Sequence, residues 1–335
     1  MTVKIGINGL GRIGRMIIRS LIENNKKKFE IKHINNRSSS KVASSLLKYD
    51  SVHGKLNAKI SYNEKNLIIN NKKISFSQET DLKKINWKKY DVDIVLECTG
   101  KFNSEELCKD HLEGGAKKVI VSAPCKDAHR TIVYGVNHNL ISKKDLIISA
   151  ASCTTNCLAP VAFTINNEFE IEKGFMTTVH SYTTDQRLLD NSHKDPRRAR
   201  SASQSIIPTS TGASRSLGEI IPELKGKIEG IALRVPTPNV SLVDFIFTSK
   251  KKLSISKINE SFIKSSNKEL KNILETTNEK LVSIDFNHNS NSAIVDLSLT
   301  NVIGNNMGKV SAWYDNEWGF ASRMCDLAEY IKKFL

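Results

Sequence analysis

The stretch Ser149-Ala150-Ala151-Ser152-Cys153-Thr154-Thr155-Asn156-Cys157 concentrates the residue types of a covalent catalyst. A strand pattern ends there, small residues turn the chain, and a helical pattern begins at the cysteine. A thiol at a helix N-terminus feels the positive end of the helix, which is expected to lower its pKa and raise its thiolate fraction. The hydroxyls of Ser152 and Thr154, with nearby N–H groups, suit an oxyanion or a phosphate. Cys157, one turn further along the same face, reads as a packed small hydrophobe rather than a second nucleophile. His180 closes a later strand. Histidine is the side chain suited to take a thiol proton near neutral pH, although the sequence by itself does not bring it to Cys153.

A second site is written near the N-terminus. Gly9-Leu10-Gly11-Arg12-Ile13-Gly14 is a GxGxxG that follows a strand pattern and opens a helical one, the context a dinucleotide requires. Gly9 serves the tight turn, Gly11 lets a pyrophosphate reach the backbone, and Gly14 lets helix and strand pack closely. The helix start adds free N–H groups and partial positive charge. A carboxylate that grips the ribose hydroxyls is expected about 20 residues on, but the chain has Asn35-Asn36-Arg37-Ser38 there. No carboxylate repels a 2′-phosphate, and Arg37 could pair with one, so NADP is tolerated. Alternatively, Asn36 hydrogen-bonds the ribose of NAD.

These residues need two kinds of scaffold. Val3 to Asn8, Ile31 to Ile34, Val92 to Glu97, Val119 to Ser122 and Leu146 to Ser149 are continuous apolar runs, as in parallel strands covered on both faces. With the helix from Arg12 to Glu23 they predict an α/β, Rossmann-type, doubly wound parallel sheet. After residue 152 the pattern changes. A helix spans 153–168, a strand runs from Gly174 to His180, and an Arg-rich polar loop covers 181–205. Strands follow at Gly230 to Val235, Ser241 to Ser249, Leu281 to Asp285, Ala293 to Leu299 and Lys309 to Tyr314. This predicts an α+β catalytic domain, 153–317, with a mostly antiparallel sheet. Residues 318–335 form a helix that returns to the first domain, 1–152.

The chain has 335 residues, 39% hydrophobic and 25% charged, ordinary for a soluble globular protein. No apolar run approaches the roughly 18 residues that cross a bilayer. No secretory h-region forms either, so a cytoplasmic protein is expected. The six cysteines make no CxxC pair and no zinc pattern, so no metal is expected, and free thiols are. The net charge of +15 either steers anions or nucleic acid or is a solvated lysine-rich surface, as in Lys26-Lys27-Lys28 and Lys250-Lys251-Lys252. The surface reading is preferred, since no nucleic-acid module is present.

Several segments together resemble glyceraldehyde-3-phosphate dehydrogenase, class I and phosphorylating. They are Gly6 to Arg15, Leu47 to Gly54, Ser152 to Asn156, His180 to Thr183, Arg197 to Arg200, Pro208 to Ala213, Arg234 to Val240 and Trp313 to Gly319. They run in order from one end of the chain to the other. The resemblance implies oxidation of glyceraldehyde 3-phosphate with inorganic phosphate to an acyl phosphate, through a thioester on Cys153 with His180 as base. It implies a substrate-phosphate pocket with Thr183 and Arg234, and a second anion pocket with Ser152, Thr154, Arg198, Thr211 and Gly212. It implies cofactor contacts from Arg12, Ile13, Ser122 and Asn316, and a homotetramer. The chain departs from the family at Asn36, where an Asp is usual, and at Thr80, where an Arg is usual near the adenine. Asn191-Ser192 stands where many NAD-specific members have Leu-Pro. A Ser192 of this kind resembles members that accept NADP through a loop of a neighbouring subunit. Dual use of NAD and NADP is therefore expected from Asn36, Arg37 and Ser192 together. Thr184 and Pro196 also depart, with no consequence to assign. The nearest rival, erythrose-4-phosphate dehydrogenase, shares fold and nucleophile but cleaves its thioester with water.

Overall fold

The computed structural model describes residues 2–24 and 28–335, so Lys26 and Lys27 lie outside the described residues. The chain divides into two compact units. One contains residues 1–134, 138–151 and 321–335, and the other 135–137 and 152–320.

In the first unit Val3–Asn8 and Ile94–Glu97 lie at the centre of a nine-stranded sheet, counted among the described residues. From one edge the order is Arg130–Thr131, Ile147–Ser149, Lys118–Val121, Ile94–Glu97, Val3–Asn8, Phe29–Asn35 and Lys72–Ser77, all parallel. The apolar runs read as parallel strands are these strands, and the doubly wound parallel sheet is present. Two further strands, Asn66–Ile69 and Ile60–Asn63, extend the far edge antiparallel. The helix Arg12–Glu23 buries Met16, Ile17, Ile18 and Leu21, the apolar stripe of its period. Trp87, Val92 and Val95 form part of a second cluster under the same sheet. The final helix, Trp318–Ile331, buries Ala321, Met324, Cys325, Leu327 and Ala328, all of which cluster with this unit.

The second unit is built on Ile171–Ser181, Ile228–Val235, Ser241–Ser249 and Met307–Tyr314. Its sheet is mostly antiparallel. Ile171–Ser181 with Ile228–Val235, and Leu274–Thr277 with Ala293–Asp296, pair parallel. The expected strand from Leu281 to Asp285 is absent. Its alternating apolar residues do not pack, since Val282 is 60% and Ile284 68% exposed. Instead the Asp285 carboxylate accepts the Val282 N–H at 2.8 Å and closes a short 3-10 turn, Ser283–Phe286. Likewise the strand at Ala293 stops at Asp296, whose carboxylate accepts the N–H and hydroxyl of Ser298 and starts another 3-10 turn.

Candidate active site and dinucleotide pocket

The helix Cys153–Phe169 begins where the chain turns sharply at Ala151, whose φ of 58° is left-handed and costly for a residue with a side chain. Ser152 caps the helix: its hydroxyl accepts the Thr155 N–H at 3.0 Å and lies 2.8 Å from the Thr155 hydroxyl. That hydroxyl is engaged within the fold, so its part in an anion pocket would be shared with capping. The sheet supplies the other half. His180 pairs with Arg234 in register on adjacent parallel strands. Thr178 lies two residues before His180, so all three side chains leave the same face of the sheet. Tyr314 joins them, its hydroxyl 2.9 Å from Thr154 Oγ1 and 2.8 Å from Thr178 Oγ1, all buried. Helix start and sheet face thus meet at one point, and Cys153 Sγ is 3.5 Å from His180 Nε2.

The electrostatics differ from the expectation. Burial pushes the Cys153 thiol above its ordinary range, against the pull of Arg234 and of hydrogen bonds from Thr154 and the Cys153 amide. The helix end acts in the expected sense but does not outweigh desolvation. Burial, reinforced by Arg234, depresses His180 to about 3, while the Ser181 carbonyl pulls the other way. At neutral pH the imidazole is uncharged and able to accept a proton. Nδ1 lies 2.7 Å from the Ser181 carbonyl and 2.7 Å from an Arg234 N–H. These contacts compete. If Nδ1 keeps its hydrogen for Ser181, Nε2 is the acceptor facing Cys153; if Arg234 donates to Nδ1, Nε2 carries the hydrogen and is no base.

The remaining expected anion ligands lie in the same unit. Thr183 gives its N–H, at 2.9 Å, and its hydroxyl, at 3.3 Å, to Gln186 Oε1. Arg198 is ion-paired with Asp185 and lies 3.2 Å from Asp195, so an anion would have to share it with two carboxylates. Thr211 accepts the Ala213 N–H at 3.2 Å, and Gly212 caps the helix Ala213–Ile220. Sequence reading passed over Thr209, Tyr314 and Gln186. Thr209 Oγ1 and Arg234 Nε are buried with no hydrogen-bond partner. Thr209 and Arg234 share one sheet face, because Thr209 faces Ala232 and Ile207 faces Arg234 across an antiparallel pair. Two orphaned donors on one face fit an anion. The alternation around Pro208-Thr209-Ser210 was the available signal.

Asn316 is set for a directional contact. Its Oδ1 accepts the hydroxyls of Ser181 at 3.0 Å and Ser241 at 2.9 Å, which turns its NH₂ away from both. Ser192 is exposed, with its N–H on Asn191 Oδ1 and its carbonyl held by Arg187.

In the first unit a cavity of about 490 Å³ opens above the glycine turn, lined by Gly9, Leu10, Gly11, Asn36, Arg37 and Glu79 among others. Gly9 adopts φ +96°, and a Cβ on Gly14 would lie 2.1 Å from the Gly9 carbonyl oxygen, so the fold itself demands both. A Cβ on Gly11 would meet only the Cys98 carbonyl, at 3.9 Å. Nothing in the protein requires glycine there, which fits a backbone kept bare for a ligand. The helix after it has no side-chain cap, and its N-terminus carries the partial positive charge that suits an anion. A dinucleotide therefore fits this cradle. The Arg12 guanidinium is paired with Asp50, so its charge is engaged within the protein. Burial would raise Asp50, but Arg12 and the amides of His53 and Val52 outweigh it and hold the carboxyl well below its usual range. Ile13 follows in the first turn, and Ser122 donates its N–H to the Glu97 carbonyl at 2.9 Å. Asn36 is engaged within the protein: Oδ1 accepts the Leu10 N–H at 3.0 Å, and Nδ2 donates to Ser38 at 2.6 Å. Arg37 is exposed at the rim. Sequence reading missed Glu79, a carboxylate on the same cavity, and Lys101, a second cation there.

Residues 3–105 match the NAD binding domain of glyceraldehyde 3-phosphate dehydrogenase, and residues 152–316 its C-terminal domain. The glyceraldehyde-3-phosphate dehydrogenase of Geobacillus stearothermophilus is 49% identical over 332 residues, covering 99% of this chain and 98% of that protein. Glyceraldehyde-3-phosphate dehydrogenase 1 of Bacillus subtilis is 48% identical over 334 residues, 99% of each. The Xanthobacter flavus protein of the same name is 46% identical over 333 residues, again 99% of each. No helix among the described residues is long and apolar enough to cross a membrane. The chain belongs to the glyceraldehyde-3-phosphate dehydrogenase family of NAD-dependent oxidoreductases.

Proposed function

We propose that the protein oxidises glyceraldehyde 3-phosphate with inorganic phosphate, reversibly, through a thioester on Cys153. The observation that carries this reading is the 3.5 Å approach of Cys153 Sγ to an uncharged His180 Nε2 on a sheet face that also presents Arg234. Cys153 attacks the aldehyde carbon while Nε2 takes the thiol proton and then returns it to the carbonyl oxygen, giving a hemithioacetal and a neutral His180. Arg234 and Thr183 hold the substrate's phosphate. A phosphate that draws the Arg234 guanidinium off Nδ1 leaves the Nδ1 hydrogen on the Ser181 carbonyl, the tautomer in which Nε2 is the base. NAD, when bound, would supply the hydride acceptor, and the bare backbone at Gly11 to Gly14 would hold its pyrophosphate; the role of Asn316 toward the nicotinamide rests on the resemblance. His180 takes the hemithioacetal hydroxyl proton as the thioester forms. Inorganic phosphate, held by Thr211, Thr154 and a shared Arg198, then cleaves the thioester.

The cofactor reading extends to NADP. Supporting it are the neutral Asn36, turned inward to Leu10 and Ser38, and the cations Arg37 and Lys101 on a cavity whose lining includes one carboxylate, Glu79. Ser192 supports it by resemblance, through a homotetramer in which a neighbouring subunit brings the loop.

The test is an assay of glyceraldehyde 3-phosphate with NAD and NADP in parallel, with and without inorganic phosphate. Full turnover without phosphate would favour the rival that uses water. An NADP efficiency thousands of times below that of NAD would remove dual use.

A further inference from the structure

Two cysteines other than the nucleophile are brought together by backbone that the sequence does not advertise. Lys126 lies parallel to Ser104 in an isolated bridge. Its carbonyl accepts the Glu105 N–H at 2.9 Å, and its N–H donates to the Asn103 carbonyl at 2.8 Å. Cys125 immediately precedes this clasp. Cys108 lies one turn into the helix Glu105–Glu113, its N–H on the Ser104 carbonyl at 3.1 Å. Both pack in one cluster with Phe102, Val119, Val121 and Ile147. Cys108 is fully buried and Cys125 partly exposed, while Cys98, Cys157 and Cys325 are buried elsewhere. All six cysteines are free thiols. We propose that Cys125 and Cys108 form an oxidisable pair, in which Cys125 meets the oxidant and Cys108 closes an intramolecular disulfide.

The roles follow from exposure and charge. The neighbouring Cys108 thiol holds Cys125 below its ordinary thiol range, against burial and the nearby Glu105 and Asp127. The neighbouring Cys125, with burial, pushes Cys108 upward. The accessible sulfur is therefore the more nucleophilic one, and the buried sulfur keeps its proton until needed. A hydroperoxide supplies the oxidant. The Cys125 thiolate attacks the peroxide oxygen, the O–O bond breaks, and water or an alcohol leaves with the sulfenic acid formed. Cys108 sulfur then attacks the sulfenic sulfur, the S–O bond breaks, and hydroxide leaves as water with the Cys108 proton. Two thiols lose two electrons and two protons in all.

The pair borders the nucleotide cavity, since Cys108 Sγ–H donates to the Phe102 carbonyl at 3.3 Å and Phe102 lines that cavity. Disulfide formation removes that donor. The test uses the full chain carrying Cys153→Ser, so that the nucleophile does not compete. It is treated with a few equivalents of hydrogen peroxide, denatured, and its thiols counted. The five remaining thiols are expected to fall to three, with the intact mass lower by two hydrogens and a peptide map joining Cys108 to Cys125. Adding Cys125→Ser should abolish the loss. Adding Cys108→Ala should leave a sulfenic acid on Cys125 that dimedone labels. An unchanged count, a cross-link between two molecules, oxidation of Cys125 to a sulfinic acid with Cys108 still free, or loss of two thiols despite Cys125→Ser would each overturn the proposal. If Cys108→Ala does not fold, the thiol count and the Cys125→Ser variant decide it.

Discussion

Gly11 and Gly14 separate what the fold requires from what a dinucleotide requires. A Cβ on Gly14 would sit 2.1 Å from the Gly9 carbonyl oxygen, while ordinary contact begins near 3.4 Å. The obstructing atom is backbone, so Gly14→Ala must lift the helix Arg12–Glu23 off the turn by about an ångström. Overpacking of this kind costs about 1–3 kcal/mol or more, and each kcal/mol lowers the unfolding midpoint by about 2–4 °C in a unit of this size. At Gly11 the same Cβ is 3.9 Å from its nearest neighbour, and φ is −67°. Gly11→Ala should cost under about 1 kcal/mol without NAD, the helix-cap preference alone. With NAD the order reverses in kind. A methyl at Gly11 holds a phosphate off the helix N–H groups, and losing one such charged hydrogen bond, about 1.5–3 kcal/mol, weakens binding about 10- to 100-fold. Unfolding curves without NAD, followed by calorimetric titration with NAD, measure both. If Gly11→Ala binds NAD like the parent, or destabilises the free protein as much as Gly14→Ala does, the reasoning is refuted.

Cys153→Ala should abolish turnover and leave NAD affinity within about twofold; retained dehydrogenase activity would remove Cys153 from its role. Tyr314→Phe strips two buried threonine hydroxyls of their shared partner and should cost about 1–3 kcal/mol in denaturant unfolding, with a lower kcat because Thr154 adjoins the nucleophile. Arg37→Leu should lower kcat/KM with NADP more than with NAD, and Glu79→Gln should raise it. Equal effects on both cofactors would mean that neither residue meets the 2′-phosphate. His33 is buried between Ser75 and Ser77, stacked on Tyr90, and desolvation with nearby Lys89 depresses it from 6.5 to about 4. Between those values the unfolded chain binds a proton that the folded chain refuses, so stability falls as pH drops from 6.5 to 4, by about 3 kcal/mol. His33→Gln should flatten that part of the unfolding profile.

Parallel strands such as Val3–Asn8 and Ile94–Glu97 were legible because burial on both faces makes their sequences mostly apolar. The last three strands at one end of the sheet, Ile60–Asn63, Asn66–Ile69 and Lys72–Ser77, carry lysines and asparagines and were passed over. A signal was present: Asn70 and Asn71, both at positive φ, make the asparagine turn of a hairpin. The false strand at Leu281 to Asp285 shows the reverse, alternation without burial, overruled by a carboxylate that caps a turn. At the site, Cys153 was legible from its neighbours. Its distance to His180 was not, since it depends on a helix start and a strand end meeting through tertiary packing. The thiol's environment was misread for the same reason: a helix start is local and visible in sequence, while the walls that desolvate it come from strands later in the chain.

The last helix carries a consequence for synthesis. Residues 321–335 cluster with the first unit, and Ala321, Met324, Ala328 and Ile331 are fully buried. The nucleotide-binding half therefore leaves the ribosome ahead of the second unit but cannot complete its core until residues 321–335, which follow that unit, have been made. The second unit, contiguous from residue 152 to 320 apart from a three-residue excursion, has most of its core in hand earlier. The unit begun first is the one finished last, and during that interval its apolar face stays open to chaperones and to neighbouring nascent chains.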